Sequence, residues 1–143
     1  MPTLMTLNAE WTVYLVDDDD DDALFFEMAV KQTHSNCIVR RCANGENFMF
    51  ELHKNRQVAT SLVFLDLTMP SLSGIEILRQ VRAVPFSSNL PVVILSGSQS
   101  PSAIGQAYKA GVTGYLSKPA FHGDWTFVLD RAIHFAKKIS IQS

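Results

Sequence analysis

Five short apolar runs, separated by stretches long enough for a helix, constrain this chain more than any other feature. They are Thr12–Val16 (TVYLV), Cys37–Cys42 (CIVRRC), Leu62–Asp66 (LVFLD), Pro91–Leu95 (PVVIL) and Gly114–Ser117 (GYLS). Most are continuously apolar rather than alternating, the pattern of strands covered on both faces in a parallel sheet. The second is the most polar, which predicts an edge position.

The intervening segments carry helical periodicity. Trp125, Val128, Leu129, Ala132, Ile133 and Ala136 follow an i, i+3, i+4, i+7, i+8, i+11 pattern, and Ile104, Ala107, Tyr108 and Gly111 do the same for the fourth segment. Phe48, Met49 and Leu52 mark the second, and Ile77, Leu78 and Val81 the third. The first, Ala23 to Val30, is apolar nearly all round and is expected to be well buried. Each connection is about 18 residues or longer, enough for a right-handed crossover helix. Alternation of this kind predicts an α/β fold, a flavodoxin-like doubly wound five-stranded parallel sheet of order 2-1-3-4-5 with five helices. A length of 143 residues suits a single domain, 1–143, with its core at about 12–138. Only Ile139–Ser143 follow the last helix, so no output domain is expected.

With 47% hydrophobic and 18% charged residues the chain has material for a sizeable core. A net charge of −2 gives no electrostatic case for nucleic acid or an anionic membrane surface. Neither a signal peptide nor a run of roughly 20 apolar residues that would span a bilayer is found. Cys37 and Cys42, five apart on one strand, face opposite sides and are poorly placed to pair, which fits a reducing cytoplasm. His34, His53, His122 and His134 lack zinc-like spacing and are expected at the surface.

In doubly wound sheets, ligands bind beyond the carboxyl ends of the strands, where the winding reverses. The first strand ends in Asp17 and Asp18, the third in Asp66 and the fourth in Ser96; the fifth runs into Lys118. Three close carboxylates repel one another, and an all-oxygen ligand set that a cation would relieve favours Mg²⁺. Asp66 is then placed to attack a phosphoryl group, with Lys118 and the metal offsetting charge on the phosphoryl oxygens. Taken singly, an aspartate run is ordinarily a solvated loop or helix cap, and Tyr115 in an apolar strand is ordinarily core. Their joint identity and order make coincidence a poor account.

The motifs YLVDD, FLDLTMPSLSG, ILSGS and GYLSKP, in that order, resemble those of the receiver (response-regulator, CheY-like) domains of bacterial two-component systems. The separations are also similar: thirty residues from Asp66 to Ser96, nineteen from Ser96 to Tyr115 and three from Tyr115 to Lys118. The likeness runs from about Val13 to Lys138. It implies Asp66 as phospho-acceptor, with Mg²⁺ held by Asp17, Asp18, Asp66 and the backbone carbonyl of Thr68. Ser96 would be the switch hydroxyl, Tyr115 the coupled aromatic and Lys118 the phosphoryl contact. A cis peptide before Pro119 is implied, and Gly74 would let the loop turn into the third helix.

The partners so implied are a sensor histidine kinase or a histidine phosphotransfer protein. The face formed by the fourth helix, fifth strand and fifth helix would serve a downstream protein or a homodimer. Such a protein is a signalling phospho-acceptor that catalyses only its own phosphorylation and dephosphorylation. An aspartate-nucleophile phosphatase would want a general acid two residues after the nucleophile, where Thr68 stands. An interaction module that keeps only the fold is the other alternative.

The family shows two or three acids after the first strand; here there are six, Asp17 to Asp22. Asp17 and Asp18 directly follow the apolar run and are the preferred pair, with Asp18 and Asp19 the alternative register. Asp22 would then begin the first helix as its cap, leaving Asp19 to Asp21 to attract cations or to form a solvated loop.

Overall fold

The computed structural model describes residues 9–67, 74–119 and 122–142. Strands and helices alternate in the order β1 (Trp11–Val16), α1 (Asp20–Thr33), β2 (Cys37–Cys42), α2 (Gly45–Asn55), β3 (Ser61–Asp66), α3 (Gly74–Ala83), β4 (Val92–Ser96), α4 (Pro101–Lys109), β5 (Gly114–Ser117) and α5 (His122–Gln142). Single 3-10 turns lie at Val58–Thr60 and Pro85–Ser87. Every strand pair is parallel, and the sheet order is β2-β1-β3-β4-β5, the doubly wound arrangement expected, with β2 at an edge.

Strand residues divide alternately between two apolar layers because successive side chains point to opposite faces. Val13, Leu15, Leu62, Phe64, Val93 and Leu95 pack on one side with Phe26 of α1 and Trp125, Leu129 and Ile133 of α5. Tyr14, Val16, Val63, Leu65 and Ile94 pack on the other with Phe48 of α2, Leu78 of α3 and Ala107 of α4. Cys37 belongs to the first layer and Cys42 to the second, as their odd spacing predicts. Burial of this apolar surface on both faces, at about 25 cal/mol per Å², is the main force holding the helices to the sheet.

Among the described residues, three helices begin at side-chain caps that accept an otherwise unpaired N–H. Asp19 caps α1 by accepting from the Asp22 amide, Asn44 caps α2 by accepting from Asn47, and Ser100 caps α4 by accepting from Ala103. Pro101 follows Ser100 at a position where its missing N–H costs nothing.

Several expectations are corrected. Trp11 is the first residue of β1 and is fully buried, rather than preceding the strand. The cap of α1 is Asp19, not Asp22, which sits in the first turn. Helix α1 is not buried all round: Leu24 and Met28 are 53% and 50% exposed, because it packs through Ala23, Phe26, Ala29 and Val30. Tyr108 is 54% exposed, since α4 buries Ala107 and ends at Lys109, before Gly111. His53 and His134 are exposed as expected, whereas His34 is half-buried and its Nε2 lies 3.0 Å from Oδ1 of Asp130 on α5. No cis peptide occurs among the described residues, so the bond before Pro119 is trans, contrary to the implied cis form. Trans is intrinsically favoured by about 0.5–1 kcal/mol, and Lys118 reaches the strand-end carboxylates from it. No helix among the described residues is long and apolar enough to cross a membrane.

Candidate functional site

Register brings the polar strand ends level. Val16 of β1 pairs with Leu65 of β3, so the residues that follow them, Asp17 and Asp66, emerge side by side. Asp66 in turn neighbours Leu95 of β4, and Ser96 neighbours Ser117 of β5, which places Lys118 at the same rim. The backbone N–H of Lys118 donates to the Ser96 carbonyl at 2.9 Å and so fixes where its side chain starts.

Carboxylate oxygens of Asp17, Asp18 and Asp66 lie within 4.8 Å of one another. Asp17 and Asp66 are buried and Asp18 is exposed, so the cluster opens to solvent on one side. Of the two registers left open by the aspartate run, the structure thus brings Asp17 and Asp18 to Asp66. Asp19 turns away to cap α1, while its own N–H donates to Oδ1 of Asp17 at 2.9 Å.

Lys118 Nζ faces this cluster from β5. It donates to Oδ2 of Asp17 at 3.2 Å, to Oδ2 of Asp66 at 3.2 Å and to Oδ2 of Asp22 at 2.8 Å. Burial alone would drive the ammonium toward its neutral form. Its hydrogen bond to Asp22 and the charges of Asp17, Asp66 and Asp22 more than reverse that, and its pKa is raised. Burial pushes the Asp17 carboxyl up to about 6, against the opposing hydrogen bond from Asp19 and the charge of Lys118, with Asp66 adding to the rise. A buried carboxyl held this far above its ordinary range, beside two other carboxylates, is a group that a further cation would stabilise as the anion. The donor set is all oxygen, which suits Mg²⁺.

Ser96 is fully buried, and its Oγ accepts from the Ser98 amide at 3.0 Å. The Tyr115 hydroxyl donates to the Ser98 carbonyl at 2.7 Å. Ser96 and Tyr115 therefore hold the same short loop, one through each backbone group of Ser98. Gly74 opens α3 directly against β3: a Cβ there would lie 2.8 Å from the Asp66 carbonyl oxygen and 3.1 Å from Leu67 Cα. Its requirement is close backbone approach. Thr68 lies outside the described residues.

Two contributors escaped the sequence reading. Asp22, expected as a cap, makes the shortest of the Lys118 contacts instead. Arg41, on the edge strand, donates through Nε to the Asp17 carbonyl at 3.2 Å and through Nη1 to Oδ1 of Asp20 at 2.7 Å. Its register opposite Leu15, near the end of β1, was the available signal.

On the outer face, Tyr108, Tyr115, Phe127, Arg131 and Phe135 line a largely apolar groove of about 450 Å³ between α4, β5 and α5.

Comparison with known proteins places this geometry in a family. Residues 13–125 match the response regulator receiver domain. The chain is 28% identical over 118 residues to the chemotaxis protein CheY of Listeria monocytogenes, covering 82% of this chain and 92% of that protein. It is 27% identical over 111 residues to a probable cyclic di-GMP phosphodiesterase of Vibrio cholerae, covering 78% of this chain but only 24% of the length of that relative. Among solved structures it resembles the phosphorylated cyanobacterial phytochrome response regulator RcpA, with a TM-score of 0.80 and 25% identity over 89% of this chain and 94% of that one. The chain belongs to the response regulator receiver domains, the CheY-like domains of two-component signalling.

Proposed function

We propose that this chain is a phosphoryl-accepting switch of the cytoplasm, with Asp66 as the acceptor. The observation that carries this reading is the convergence of Lys118 Nζ on Asp66 and Asp17, 3.2 Å from each, at the rim where three strands end. A carboxylate oxygen of Asp66 attacks the phosphorus of a phosphohistidine on a sensor histidine kinase or histidine phosphotransfer protein. The P–N bond breaks, the imidazole leaves and takes up a proton, and an acyl phosphate forms. Asp17, Asp18 and Asp66, with the Thr68 carbonyl, would hold Mg²⁺, which when bound supplies positive charge beside the phosphoryl oxygens. Lys118 donates to those oxygens from the other side. RcpA, 25% identical, is described as phosphorylated, which is consistent with this chemistry.

Signal leaves through Ser96 and Tyr115. The Ser96 hydroxyl turns from the Ser98 amide to a phosphoryl oxygen, the loop follows, and Tyr115 gives up the Ser98 carbonyl and turns inward. The groove between α4, β5 and α5 is thereby reshaped for a downstream protein, for a second copy of the chain, or for onward phosphotransfer. A few kcal/mol of preference for the active state suffices. Water attack on the same phosphorus resets the switch, so the chain catalyses only its own phosphorylation and dephosphorylation.

Intact mass after treatment with acetyl phosphate and Mg²⁺ tests this reading. Wild type gains one phosphoryl group, and Asp66→Asn gains none while keeping its far-UV circular dichroism. A phosphoryl adduct retained in Asp66→Asn overturns the assignment.

A further inference from the structure

Asp22 has no place in the chemistry described so far, yet its carboxylate makes the shortest of the Lys118 contacts, 2.8 Å against 3.2 Å for Asp17 and Asp66. We propose that Asp22 is a positioning residue that competes with the phosphoryl group for Lys118 and so keeps the phosphorylated state weakly populated. This rests on Asp66 being the acceptor.

The geometry separates Asp22 from the other two partners. Asp17 and Asp66 lie with Asp18 in the carboxylate cluster, whose oxygens are within 4.8 Å of one another; Asp22 is not a member. A cation in that cluster draws on Asp17 and Asp66, and Asp22 then remains as the counterion that belongs to Lys118 alone. Its side chain is 27% exposed, against 3% and 4% for the other two, so it holds the ammonium from the solvent side of the rim. The backbone around it is fixed, because the Asp22 N–H donates to Oδ1 of the cap Asp19 at 3.0 Å. Lys118 is thus a bridge between the first turn of α1 and the end of β5.

Conversion of the Asp66 carboxylate to an acyl phosphate replaces one negative charge by about two. The added charge calls on the Lys118 ammonium, which Asp22 already shares, and it repels the Asp22 carboxylate directly. Both effects oppose the phosphorylated state. Removal of one charge at this distance in a partly solvated site changes affinity for a phosphoryl-like group about three- to tenfold.

The test uses the full chain in excess Mg²⁺, titrated with beryllium trifluoride as the phosphoryl mimic and followed by amide chemical shifts. Asp22→Asn, nearly isosteric and still able to occupy the first helical turn, binds the mimic about three- to tenfold more tightly than wild type. Asp22→Glu returns to within about twofold of wild type, since it restores the charge. Asp21→Asn, a neighbouring exposed acid in the same turn, removes an equal formal charge and changes affinity less than about twofold. Unchanged affinity in Asp22→Asn overturns the inference, as does an equal gain in Asp21→Asn, which would make the effect one of net charge. Failure of wild type itself to bind the mimic overturns the phospho-acceptor reading together with this one, whereas binding that Asp22→Asn leaves unaltered overturns this one alone.

Discussion

Lys118 Nζ lies 3.2 Å from Oδ2 of Asp66, a residue 52 positions earlier in the chain. The contact exists because β3 and β5 flank β4 in a parallel sheet, so both strands end at one rim. The same ammonium pairs with Asp17 and Asp22, so three carboxylates share one cation.

Replacement of Lys118 by Met removes that cation and leaves three carboxylates facing one another. Without Mg²⁺ at neutral pH the substitution is expected to destabilise the fold by about 1–3 kcal/mol, below the values for fully buried pairs because the lysine side chain is 18% exposed. Urea unfolding measures the loss, and added Mg²⁺ should recover part of it. Equal stability of variant and wild type without the metal would contradict the electrostatic account of this rim.

Asp17 predicts a pH dependence. Its carboxyl is held at about 6 against an ordinary 3.8, with burial as the leading cause. The folded state therefore binds this proton more tightly than the unfolded chain, and this part of the stability is present in acid and lost as pH rises from about 4 to about 6. The raised value of Lys118 adds no slope there, because that group stays charged in both states throughout the window. Asp17→Asn should accordingly gain about 1–3 kcal/mol on wild type between pH 4 and pH 7 in the absence of metal. With Mg²⁺ the order should reverse above pH 6, where ionised Asp17 is available as a ligand. Thermal melts at both pH values, with and without Mg²⁺, check both signs.

Gly74 predicts a coupled loss. A methyl group there meets the Asp66 carbonyl oxygen at 2.8 Å, and β3 or α3 must move to admit it. Gly74→Ala should cost about 1–3 kcal/mol and also slow phosphorylation by acetyl phosphate, because the displaced backbone carries Asp66, the proposed acceptor. Destabilisation with an unchanged phosphorylation rate would separate the glycine from the site.

The fold was legible because β1, β3 and β4 are continuous apolar runs, and because α5 repeats its buried residues with a period near 3.6. Much of the site was legible too, since Asp17, Asp66, Ser96 and Lys118 sit at strand ends where parallel register brings them together. What sequence could not convey has local physical causes. Six identical aspartates give every helix register the same letters, so a cap at Asp19 and an ion pair at Asp22 could not be told apart from a cap at Asp22. Helix α1 is apolar on nearly every side, which removes the periodic signal that would have marked Leu24 and Met28 as exposed. The residues around Pro119 do not encode its isomer, because the two forms differ by only about 0.5–1 kcal/mol.

The most direct test of the central claim is to locate the phosphoryl group. After phosphorylation with acetyl phosphate and Mg²⁺, reduction by borohydride converts an aspartyl phosphate to homoserine, which peptide fragmentation can place. Homoserine is expected at position 66, with aspartate unchanged at positions 17 to 22. Modification within the aspartate run, or a phosphoryl group on a hydroxyl that survives the reduction, would contradict it.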